Sequence, residues 1–359
     1  MKHKIKKLLT LTYVTKKKSP KMQFRLALYW LSGALALFGV FVLFLGFGGF
    51  FKSTEKELSR SLKICENNII KEMEAHIEIL EAQAIDLSKN ASSVIKKDLL
   101  SQPVSSLNND IDGLTSLQKS LFPIINKSLR VSPCSGAFVS LDATVNTSSP
   151  NADISRSGIY LRFSHIGTTK SATQPFSLFR GSSQLADEES ISMHNRWNLE
   201  FDMSRFPEIN SKNLFTNERL AENCLWSRRS NLPDTWENVI YLFCPLVAQN
   251  GVINGLCGFE ISDLYFSFAY PAISGDFGKM TTILAPIDKT TGKISLEKGI
   301  IGGFENSDID LAKELTITKG KLFYTYESES LGQRFLGVHK SIPLKSVDNS
   351  HYFVATLIP

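Results

Sequence analysis

Two strand-like segments of the sequence carry side chains that could bind a small molecule. Arg162 lies close to Tyr160 in Gly158-Ile-Tyr-Leu-Arg-Phe163, and its guanidinium could hold a carboxylate in a bidentate pair. Glu260, near the end of a later apolar segment, could accept an amine. Aromatic side chains could enclose a cation or a flat ligand. The candidate ligand-binding residues are Tyr160, Arg162, Trp197, Asp202, Trp226, Tyr241 and Glu260.

A structural interpretation of the same residues is also open. Strand alternation places Tyr160 and Arg162 on one face and Leu161 on the other. Arg162 would then pair only with Glu200 or Asp202, and each tryptophan would fill a core. The sequence alone does not choose between a binding face and a satisfied core.

Nothing in the sequence indicates catalysis. The six histidines show no His-Glu-x-x-His spacing, and there is no Gly-x-Ser-x-Gly elbow, phosphate-binding loop or dinucleotide fingerprint. Asp308 and Asp310 are a weak candidate for a cation site, and the run Asp187-Glu188-Glu189 is typical of a solvated loop. We therefore expect no enzymatic activity, no metal site and no cofactor.

The five cysteines are Cys65, Cys134, Cys224, Cys244 and Cys257. An odd number with irregular spacing is not a disulfide framework, and no pair has the spacing of a zinc site. Cys244 and Cys257 lie in apolar strand-like segments, which favours small buried side chains. Whether any disulfide forms is left open by the sequence.

The elements that must position these residues begin with an apolar stretch at residues 26–51. It contains no charged residue and no His, Asn or Gln. At roughly 1.5 Å per residue, a helix of this length can cross a hydrocarbon core of roughly 30 Å. Its length and its Phe-Gly-Gly-Phe-Phe ending favour an uncleaved membrane anchor; a long cleaved signal sequence is the alternative.

Residues 1–25 carry nine basic side chains and no acidic one, whereas the whole chain has a formal net charge of +5. The positive charge is therefore concentrated in this tail. The rest of the sequence shows no cluster of basic residues of the kind that predicts nucleic-acid binding. The positive-inside rule places the tail in the cytoplasm, near anionic lipid, and residues 52–359 outside the cytoplasm.

A helical pattern follows the apolar stretch. From Ser53 to Leu100 there is no Pro or Gly, and apolar residues recur every three or four positions. The Ser-Thr-x-x-Glu sequence at residues 53–57 predicts the start of this helix. So long a helix must pack on something, either the sheets of its own chain or a second copy in a coiled coil. We expect packing within the chain and a possible homodimer seam near the membrane.

After residue 131 the periodicity becomes that of β-strands. Asp263–Ala269 is predicted as a short helical linker between two sheets. The predicted fold is α+β: one transmembrane helix, a long membrane-proximal helix and two tandem PAS-like antiparallel-sheet subdomains. The predicted divisions are a basic tail at 1–25, a transmembrane helix at 26–51, helical segments at 53–130, a membrane-distal subdomain at 131–262 and a membrane-proximal subdomain at 263–359.

This order of elements resembles the double Cache ectodomains of bacterial receptors, in which a long helix leaving the membrane backs two stacked PAS-like sheets. Within residues 235–262, Pro245-Leu-Val, Asn-Gly251 and Gly255-Leu-Cys-Gly-Phe-Glu260-Ile-Ser look like the last two strands of the distal sheet. The family often has Gly-x-Asp-Ile where this chain has Glu260. A second similarity, to sensor ectodomains that precede helix-turn-helix regulators or diguanylate cyclases, is carried by the segments at residues 134–146, 157–162 and 194–202.

The resemblance covers most of residues 53–359, but one signature of the family is missing. Some members bind amino acids through Tyr-x4-Arg-x-Trp-Tyr followed by a Tyr and an Asp. Here Arg196-Trp197 stands without the flanking tyrosines. The resemblance therefore does not imply an amino acid as the ligand.

The resemblance implies a membrane-anchored, extracytoplasmic sensor that binds a small molecule and takes part in transmembrane signalling. Its expected partners are a ligand of unknown class and the lipid bilayer. A second copy bound through the long helix and a signalling protein are further candidate partners. Two alternatives stay open. The chain could be a tethered interaction or structural ectodomain that senses nothing, or the input half of a truncated or split receptor.

Overall fold

The computed structural model describes residues 20–47, 50–100, 102–166, 174–206, 209, 223–248, 251–275, 278–303 and 312–358. Most of the predicted cytoplasmic tail lies outside these ranges, as do the Asp308–Asp310 cation candidate and Asn250 of the predicted Asn-Gly turn. The chain divides into two compact units, Met1–Arg60 and Ser61–Pro359.

The first unit contains the apolar helix α1, which spans Pro20–Phe47. Within it, Phe24–Gly46 contains an 18-residue window with a mean hydropathy of 2.2, and none of that window is buried. By length and composition this segment can cross a membrane. Among the described residues it is the one helix that passes this test.

The second helix, α2, spans Phe50–Asp98 and is 49 residues long. It begins before the Ser-Thr-x-x-Glu sequence, so the predicted start at Ser53 is wrong. Because no Pro or Gly interrupts residues 50–57, the helical hydrogen bonding extends past the capping sequence. The predicted packing of its apolar stripe within the chain is confirmed in the second unit. The buried stripe is Leu62, Ile69, Ile70, Met73, Ile77, Leu80, Ala84, Leu87, Ala91 and Ile95.

The second unit contains further helices, of which the structure describes the bounds of α3, α4 and α5. Helix α3 spans Ile111–Val131, and the side chain of its N-cap, Asp110, accepts a hydrogen bond from the Gly113 amide. Helix α4 spans Ser183–Glu188. Helix α5 spans Asp263–Ala269, as predicted for the linker. Short 3-10 helices lie at Val104–Leu107, Met203–Arg205 and Leu296–Lys298.

The strands of the described residues fall into two large sheets and one small pair. In chain order they are β1 (Gly136–Leu141), β2 (Ser155–Arg156), β3 (Gly158–Phe163), β4 (Phe176–Arg180), β5 (Ser192–Asn198), β6 (Phe201–Asp202), β7 (Leu225–Trp226), β8 (Ser230–Asn231), β9 (Asn238–Val247), β10 (Ile253–Ser262), β11 (Ile273–Gly275), β12 (Gly278–Asp288), β13 (Lys293–Ser295), β14 (Ile300–Ile301), β15 (Glu314–Lys319), β16 (Tyr324–Ser328), β17 (Gln333–Ser341) and β18 (His351–Ile358).

The first sheet has the strand order β5-β4-β3-β1-β10-β9-β7, and β8 also pairs with β9. All of its pairings are antiparallel except β4 with β5. Strand β1 lies in the middle, with Gly136 opposite Arg162 of β3 on one side and opposite Glu260 of β10 on the other. This register brings two of the sequence candidates to the same place on the sheet.

The second sheet has the order β11-β12-β13-β15-β16-β17-β18, and β14 also pairs with β12. Because β12 pairs with β18 as well, a closed ring is formed by strands β12, β13, β15, β16, β17 and β18. Its interior is filled by apolar side chains that include Phe335, Phe353 and Leu357.

One apolar core joins α2, α3 and parts of both sheets. We call the side of the first sheet that faces this core its helix-facing side; Leu161, Cys257 and Phe259 belong to it. A separate cluster covers the opposite, cavity-facing side, which includes Phe138, Tyr160, Tyr241 and Phe243. The strand periodicity of two places these two sets of side chains on opposite faces.

Candidate ligand-binding site

The cavity-facing side of the first sheet is lined by aromatic rings around a small cavity. The ring centroid of Phe138 lies 5.8 Å from that of Tyr160, 5.8 Å from that of Tyr241 and 5.6 Å from that of Phe243. Phe201 stacks on Tyr160 with an interplanar angle of 3°. The cavity has a volume of about 40 Å³. At roughly 10–15 Å³ for one water molecule, that is room for about three waters.

A glycine in β10 lets the rings meet. Gly258 lies between Phe138 of β1 and Phe243 of β9 in the register of the sheet. A Cβ atom there would approach the Leu242 carbonyl oxygen to 1.8 Å and the Phe138 ring to 3.2 Å. The aromatic lining therefore depends on a position with no side chain.

Arg162 and Glu260 form a bidentate ion pair at one end of the same face. Arg162 Nε donates to Glu260 Oε2 at 2.7 Å, and an Nη nitrogen donates to Oε1 at 2.9 Å. The same Nη group also donates to Glu237 Oε2 at 2.8 Å. Both side chains reach across β1 because Gly136, which lies between them, has no Cβ. A Cβ at Gly136 would lie 3.2 Å from Arg162 Cγ and 2.9 Å from the Tyr160 ring.

Glu260 is completely buried and fully hydrogen-bonded. Ser135 Oγ donates to its Oε1 at 2.6 Å, and the Tyr160 hydroxyl donates to its Oε2. Burial raises the pKa of Glu260 to about 8, and the hydrogen bond from Ser135 acts in the opposite direction. The bidentate guanidinium of Arg162 also favours the charged carboxylate.

These contacts change the interpretation of both candidates. Arg162 and Glu260 bind each other, so both Glu260 oxygens and the Nε–Nη2 edge of Arg162 are already occupied within the chain. The structural alternative, pairing of Arg162 with Glu200 or Asp202, is also wrong. Glu200 instead accepts hydrogen bonds from the Val145 amide at 2.8 Å and from Ser155 Oγ at 2.7 Å.

The predicted aromatic box is corrected as well, because the two tryptophans lie away from the cavity. Trp226 is 1% exposed, belongs to the helix-facing core, and its indole donates to Glu81 of α2 at 3.1 Å. Trp197 is half-buried against the same core, and its indole donates to the Gly181 carbonyl oxygen at 3.0 Å. Of the three predicted members, Tyr241 lines the cavity. Burial raises the pKa of its hydroxyl, so it is a neutral hydrogen-bonding group.

Arg180 is the cavity residue that sequence reasoning missed. It is 4% exposed and lines the cavity, and its guanidinium carbon lies 4.0 Å from the centroid of the Phe179 ring. Its Nη1 donates to the carbonyl oxygens of Phe179 at 2.7 Å and of Arg196 at 2.9 Å. Among the described residues, no carboxylate lies within ion-pair distance of it.

A β-bulge gives Arg180 this position. Tyr160 of β3 pairs with Arg180, but the next residue, Leu161, pairs with Leu178, so Phe179 is the extra residue. Leu178 packs into the helix-facing core, whereas both Phe179 and Arg180 line the cavity. Bulges commonly re-aim a side chain in this way.

The charge of the buried Arg180 guanidinium is balanced only by carboxylates at longer range. Burial lowers the pKa of its guanidinium, and the charges of Asp234 and Asp202 act against that shift from longer range. Asp202 is exposed at the cavity rim, where its Oδ1 accepts a hydrogen bond from the Ser204 amide. Arg205, also at the rim, donates to the Asn231 carbonyl oxygen at 2.7 Å.

Among the described residues, no group of three or more His, Cys, Asp or Glu side chains could hold a metal ion. The side chains that line the cavity offer hydrogen bonds, charge and aromatic contact to a bound molecule.

Comparisons with known proteins give likenesses at the level of structure alone. No family model matches the chain, and no curated protein matches it. The periplasmic sensory domain of the Campylobacter jejuni chemoreceptor Tlp1 is 9% identical, with a TM-score of 0.48 over 85% of this chain and 95% of that one. The ligand-binding domain of the Pseudomonas fluorescens chemoreceptor CtaA, in complex with L-serine, is 10% identical, with a TM-score of 0.41 over 84% of this chain and 97% of that one.

The ligand-binding domain of the Pseudomonas aeruginosa PAO1 amino acid chemoreceptor PctC, in complex with GABA, is 13% identical. Its TM-score is 0.39 over 85% of this chain and 100% of that one. These similar structures are sensory or ligand-binding domains of receptors. At such identities and TM-scores below 0.5, what this chain binds must be argued from its own site.

Proposed function

We propose that this chain is a membrane-anchored, extracytoplasmic sensor whose first sheet binds a small anionic molecule at Arg180. The observation that carries the proposal is a guanidinium buried among aromatic rings with no carboxylate partner among the described residues. Arginine side chains are rarely buried unless they are paired. An anion in the cavity would supply the missing partner and could accept two parallel N–H donors.

The size of the cavity limits the ligand. A volume of about 40 Å³ accepts only a few non-hydrogen atoms in this conformation. Formate or acetate is of that size. A larger anion would have to displace rim side chains, and Phe206, which packs edge-on against Tyr241 at a centroid distance of 5.4 Å, belongs to that rim. The ligand class is therefore a small carboxylate or another compact anion.

The proposed route for a signal from the cavity towards the membrane is α2. The helix-facing side of the first sheet packs against α2, and Ser88 Oγ of that helix donates to the Pro245 carbonyl oxygen of β9 at 2.7 Å. A ligand that binds one arrangement of the sheet more tightly would shift the population toward it. The long helix would then transmit a small displacement.

The orientation of the chain is part of the same proposal. It is supported by the basic residues of positions 1–25 and by α1, and it places the second unit outside the cytoplasm. Protease added to intact cells should degrade an epitope tag placed after residue 359 and spare one placed before residue 1. The reverse pattern would refute the orientation.

A thermal-unfolding screen of the full chain in nanodiscs tests the binding site. Formate, acetate and nitrate should raise the melting temperature, whereas acetamide and formamide, which are similar in size but neutral, should not. At a ligand concentration 100 times the Kd, the expected stabilisation is about 2.7 kcal/mol.

Substitutions at matched positions identify the residue responsible. Arg180→Met should abolish the anion effect and Arg180→Lys should weaken it, because lysine lacks the planar fork. Arg196→Gln removes an exposed arginine from the neighbouring strand and should leave the effect unchanged. Stabilisation by no anion, or equal stabilisation of a folded Arg180→Met variant, would contradict the proposal.

The small cavity favours a second candidate function, an interaction domain that binds no small molecule. In this case the cavity-facing side is a filled core, and the partner of the ectodomain is another envelope or receptor protein. A stable complex captured on the immobilised full chain, which persists in the Arg180→Met variant, would support this alternative.

We also retain two partner proposals, a homodimer through α2 and a separate signalling protein. Capture of a complex on the immobilised full chain tests both.

A further inference from the structure

Three cysteines on neighbouring strands of the first sheet lie side by side. Cys257 of β10 is directly opposite Cys244 of β9. Leu225 of β7 is opposite Phe243, so Cys224, which precedes β7, lies next to Cys244 on its other side. All three side chains belong to the helix-facing core and are at most 1% exposed. We call Cys224, Cys244 and Cys257 the thiol ladder.

The register places the three thiols of the ladder next to one another on one face of the sheet. No disulfide joins the five cysteines, all of which lie among the described residues. Directly opposite residues of antiparallel strands have Cα atoms roughly 4.5 or 5.5 Å apart. Disulfides form at Cα separations of roughly 4.4–6.8 Å, so the backbone is already placed for either bond.

Cys244 is shared by both possible bonds. A direct bond between Cys224 and Cys257 would have to span β9, and strands are roughly 4.7–4.9 Å apart, so these two residues are separated by about twice that distance. This exceeds the reach of a disulfide. The geometry therefore allows two alternative bonds that exclude each other.

We propose that the thiol ladder is a disulfide-exchange site, in which Cys244 bonds to Cys224 or to Cys257 but never to both. The proposal does not depend on the ligand of the cavity-facing side. It goes beyond the proposed sensor function because it adds a covalent modification site on the opposite face of the sheet.

A disulfide donor of low molecular weight, such as oxidised glutathione, supplies the oxidising equivalents. The Cys224 thiolate attacks one sulfur of the donor, forms a mixed disulfide and releases one donor thiolate. The Cys244 thiolate then attacks the Cys224 sulfur, forms the first ladder disulfide and releases the second donor thiolate. Attack of Cys257 on Cys244 moves the bond to Cys244–Cys257 and returns Cys224 to a thiol. In sum, two thiols lose two electrons and two protons, and the donor disulfide becomes two thiols.

Cys224 is the entry point because its strand is the shortest of the three. Strand β7 has two residues paired with β9, whereas β9 and β10 are ten residues long each. On its other side β7 is held by the Trp226 amide, which donates to the Lys345 carbonyl oxygen at 2.7 Å, and by the Val347 amide, which donates to the Trp226 carbonyl oxygen at 2.9 Å. Opening these few hydrogen bonds costs less than opening a ten-residue strand at the centre of the sheet. The hydrogen bond to Cys244 and burial raise the pKa of the Cys224 thiol, so the closed ladder reacts slowly.

The disulfide exchange would change a hydrogen bond between the sheet and α2. Cys257 Sγ donates to the Ala84 carbonyl oxygen of that helix at 3.8 Å. When Cys257 is part of a disulfide, that donor is lost, and the contact between sheet and helix changes at the middle of the buried stripe. The redox state of the ladder would thus alter the same helix that backs the proposed binding face.

The test uses the full chain in nanodiscs, reduced and then exposed to oxidised glutathione. Free thiols are blocked with iodoacetamide, and chymotrypsin, which cuts after Leu246 and Leu256, separates Cys244 from Cys257 for mass spectrometry. We expect two ladder thiols to be lost and a Cys224–Cys244 or Cys244–Cys257 linkage to appear. Incubation in concentrated urea provides the comparison for the unfolded chain.

Alanine variants distinguish the two bonds. Cys257→Ala should give only Cys224–Cys244, and Cys224→Ala should give only Cys244–Cys257, formed about tenfold more slowly or worse. Cys244→Ala should leave the ladder reduced, and Cys134→Ala, a buried control outside the ladder, should behave like the parent chain. Circular dichroism confirms that each variant is folded.

Two results would overturn the proposal. One is a folded chain whose thiols all stay free at saturating donor while linkages appear only in urea. The other is a linkage through Cys65 or Cys134, or one that survives in Cys244→Ala. Oxidation of Cys224→Ala at the parent rate would overturn the entry through β7.

Discussion

The two sheets of the second unit use the same antiparallel pattern, yet they differ in what they bury. The first sheet buries Arg162, Arg180 and Glu260 on its cavity-facing side, each at most 5% exposed. The buried polar side chains of the second sheet's described strands are hydroxyls, such as those of Thr281 and Thr356. Burying a charge costs far more than burying a hydroxyl. The first sheet therefore bears a desolvation cost that the described strands of the second sheet do not, and this contrast supports the proposal of a binding site on the first sheet.

The largest expected difference between the sheets comes from breaking the buried ion pair. Glu260→Leu leaves Arg162 with only Glu237 and should lower the free energy of unfolding by about 3–5 kcal/mol, measured by urea denaturation. The double variant Arg162→Met/Glu260→Leu should lose much less, because no charge is left unpaired.

Thr356→Val is the matched change in the second sheet. Its hydroxyl is buried and has no hydrogen-bond partner in the part of the chain that the structure describes, so the variant should be neutral or slightly stabilised. Equal losses of unfolding free energy in Glu260→Leu and Thr356→Val would contradict the proposed difference between the two sheets.

Removing one buried tyrosine hydroxyl from each sheet compares the energetics of the two sheets. Tyr160→Phe removes a donor to the Glu260 carboxylate and should cost about 1.5–3 kcal/mol. Tyr326→Phe removes a 2.7 Å hydrogen bond to His339 Nδ1 in the second sheet and should cost about 0.5–1.5 kcal/mol. Chemical denaturation of both variants checks the order. A larger loss at Tyr326 would mean that charge does not set the energetics of the first sheet.

The ion pair of Arg162 and Glu260 passes over Gly136, and adding a methyl group there tests whether this glycine is needed. Gly136→Ala should cost about 1–3 kcal/mol, because the new Cβ crowds the Tyr160 ring and Arg162. Part of that cost should vanish in the Arg162→Met/Glu260→Leu background, since the ion pair is then absent. Gly337→Ala in the second sheet, where a Cβ would meet the Thr356 carbonyl oxygen at 2.5 Å, is the steric control. Its cost should be the same in both backgrounds.

The smallest expected effect is a pH dependence in the second sheet. Burial lowers the pKa of His339 below its usual value of about 6.5. The unfolded chain therefore binds a proton that the folded chain excludes, and stability falls as the pH drops below about 6.5 through the lowered value. His339→Gln should flatten the unfolding free energy over this window. His194 of the first sheet, whose pKa is also lowered by burial, is the matched variant. An unchanged slope in His339→Gln would contradict the assignment.

Much of the fold could be predicted because local patterns determine it. The alternation within Gly158–Phe163 predicted β3, and Asp263–Ala269 was predicted as the short helical linker that α5 forms. The Ser262 cap of α5 was not predicted. The stripe of α2 predicted its burial, since a three-four spacing needs an apolar partner. The start of α2 was missed because a capping sequence also fits inside a helix.

The candidate site was predicted only in part. Tyr160 and Tyr241 do line the cavity, but the pairing of Arg162 with Glu260 depends on a register across three strands that no local pattern reveals. Arg180 was missed because simple alternation would put it on the side of Leu178, and a bulge reverses that side. Trp226 lies on a two-residue strand, too short to show which face it presents.

The position of β1 has a consequence for how the chain folds. This central strand pairs at once with the nearby β3, but its other neighbour is β10; Ser135 and Glu260, which meet there, are 125 residues apart in sequence. Closing so long a loop is entropically costly and slows folding. During synthesis the edge of β1 stays unpaired until β10 has emerged, and an unpaired edge can join another chain. Refolding of this unit should therefore be slow and sensitive to protein concentration, and the last step to complete should be the one that buries Glu260.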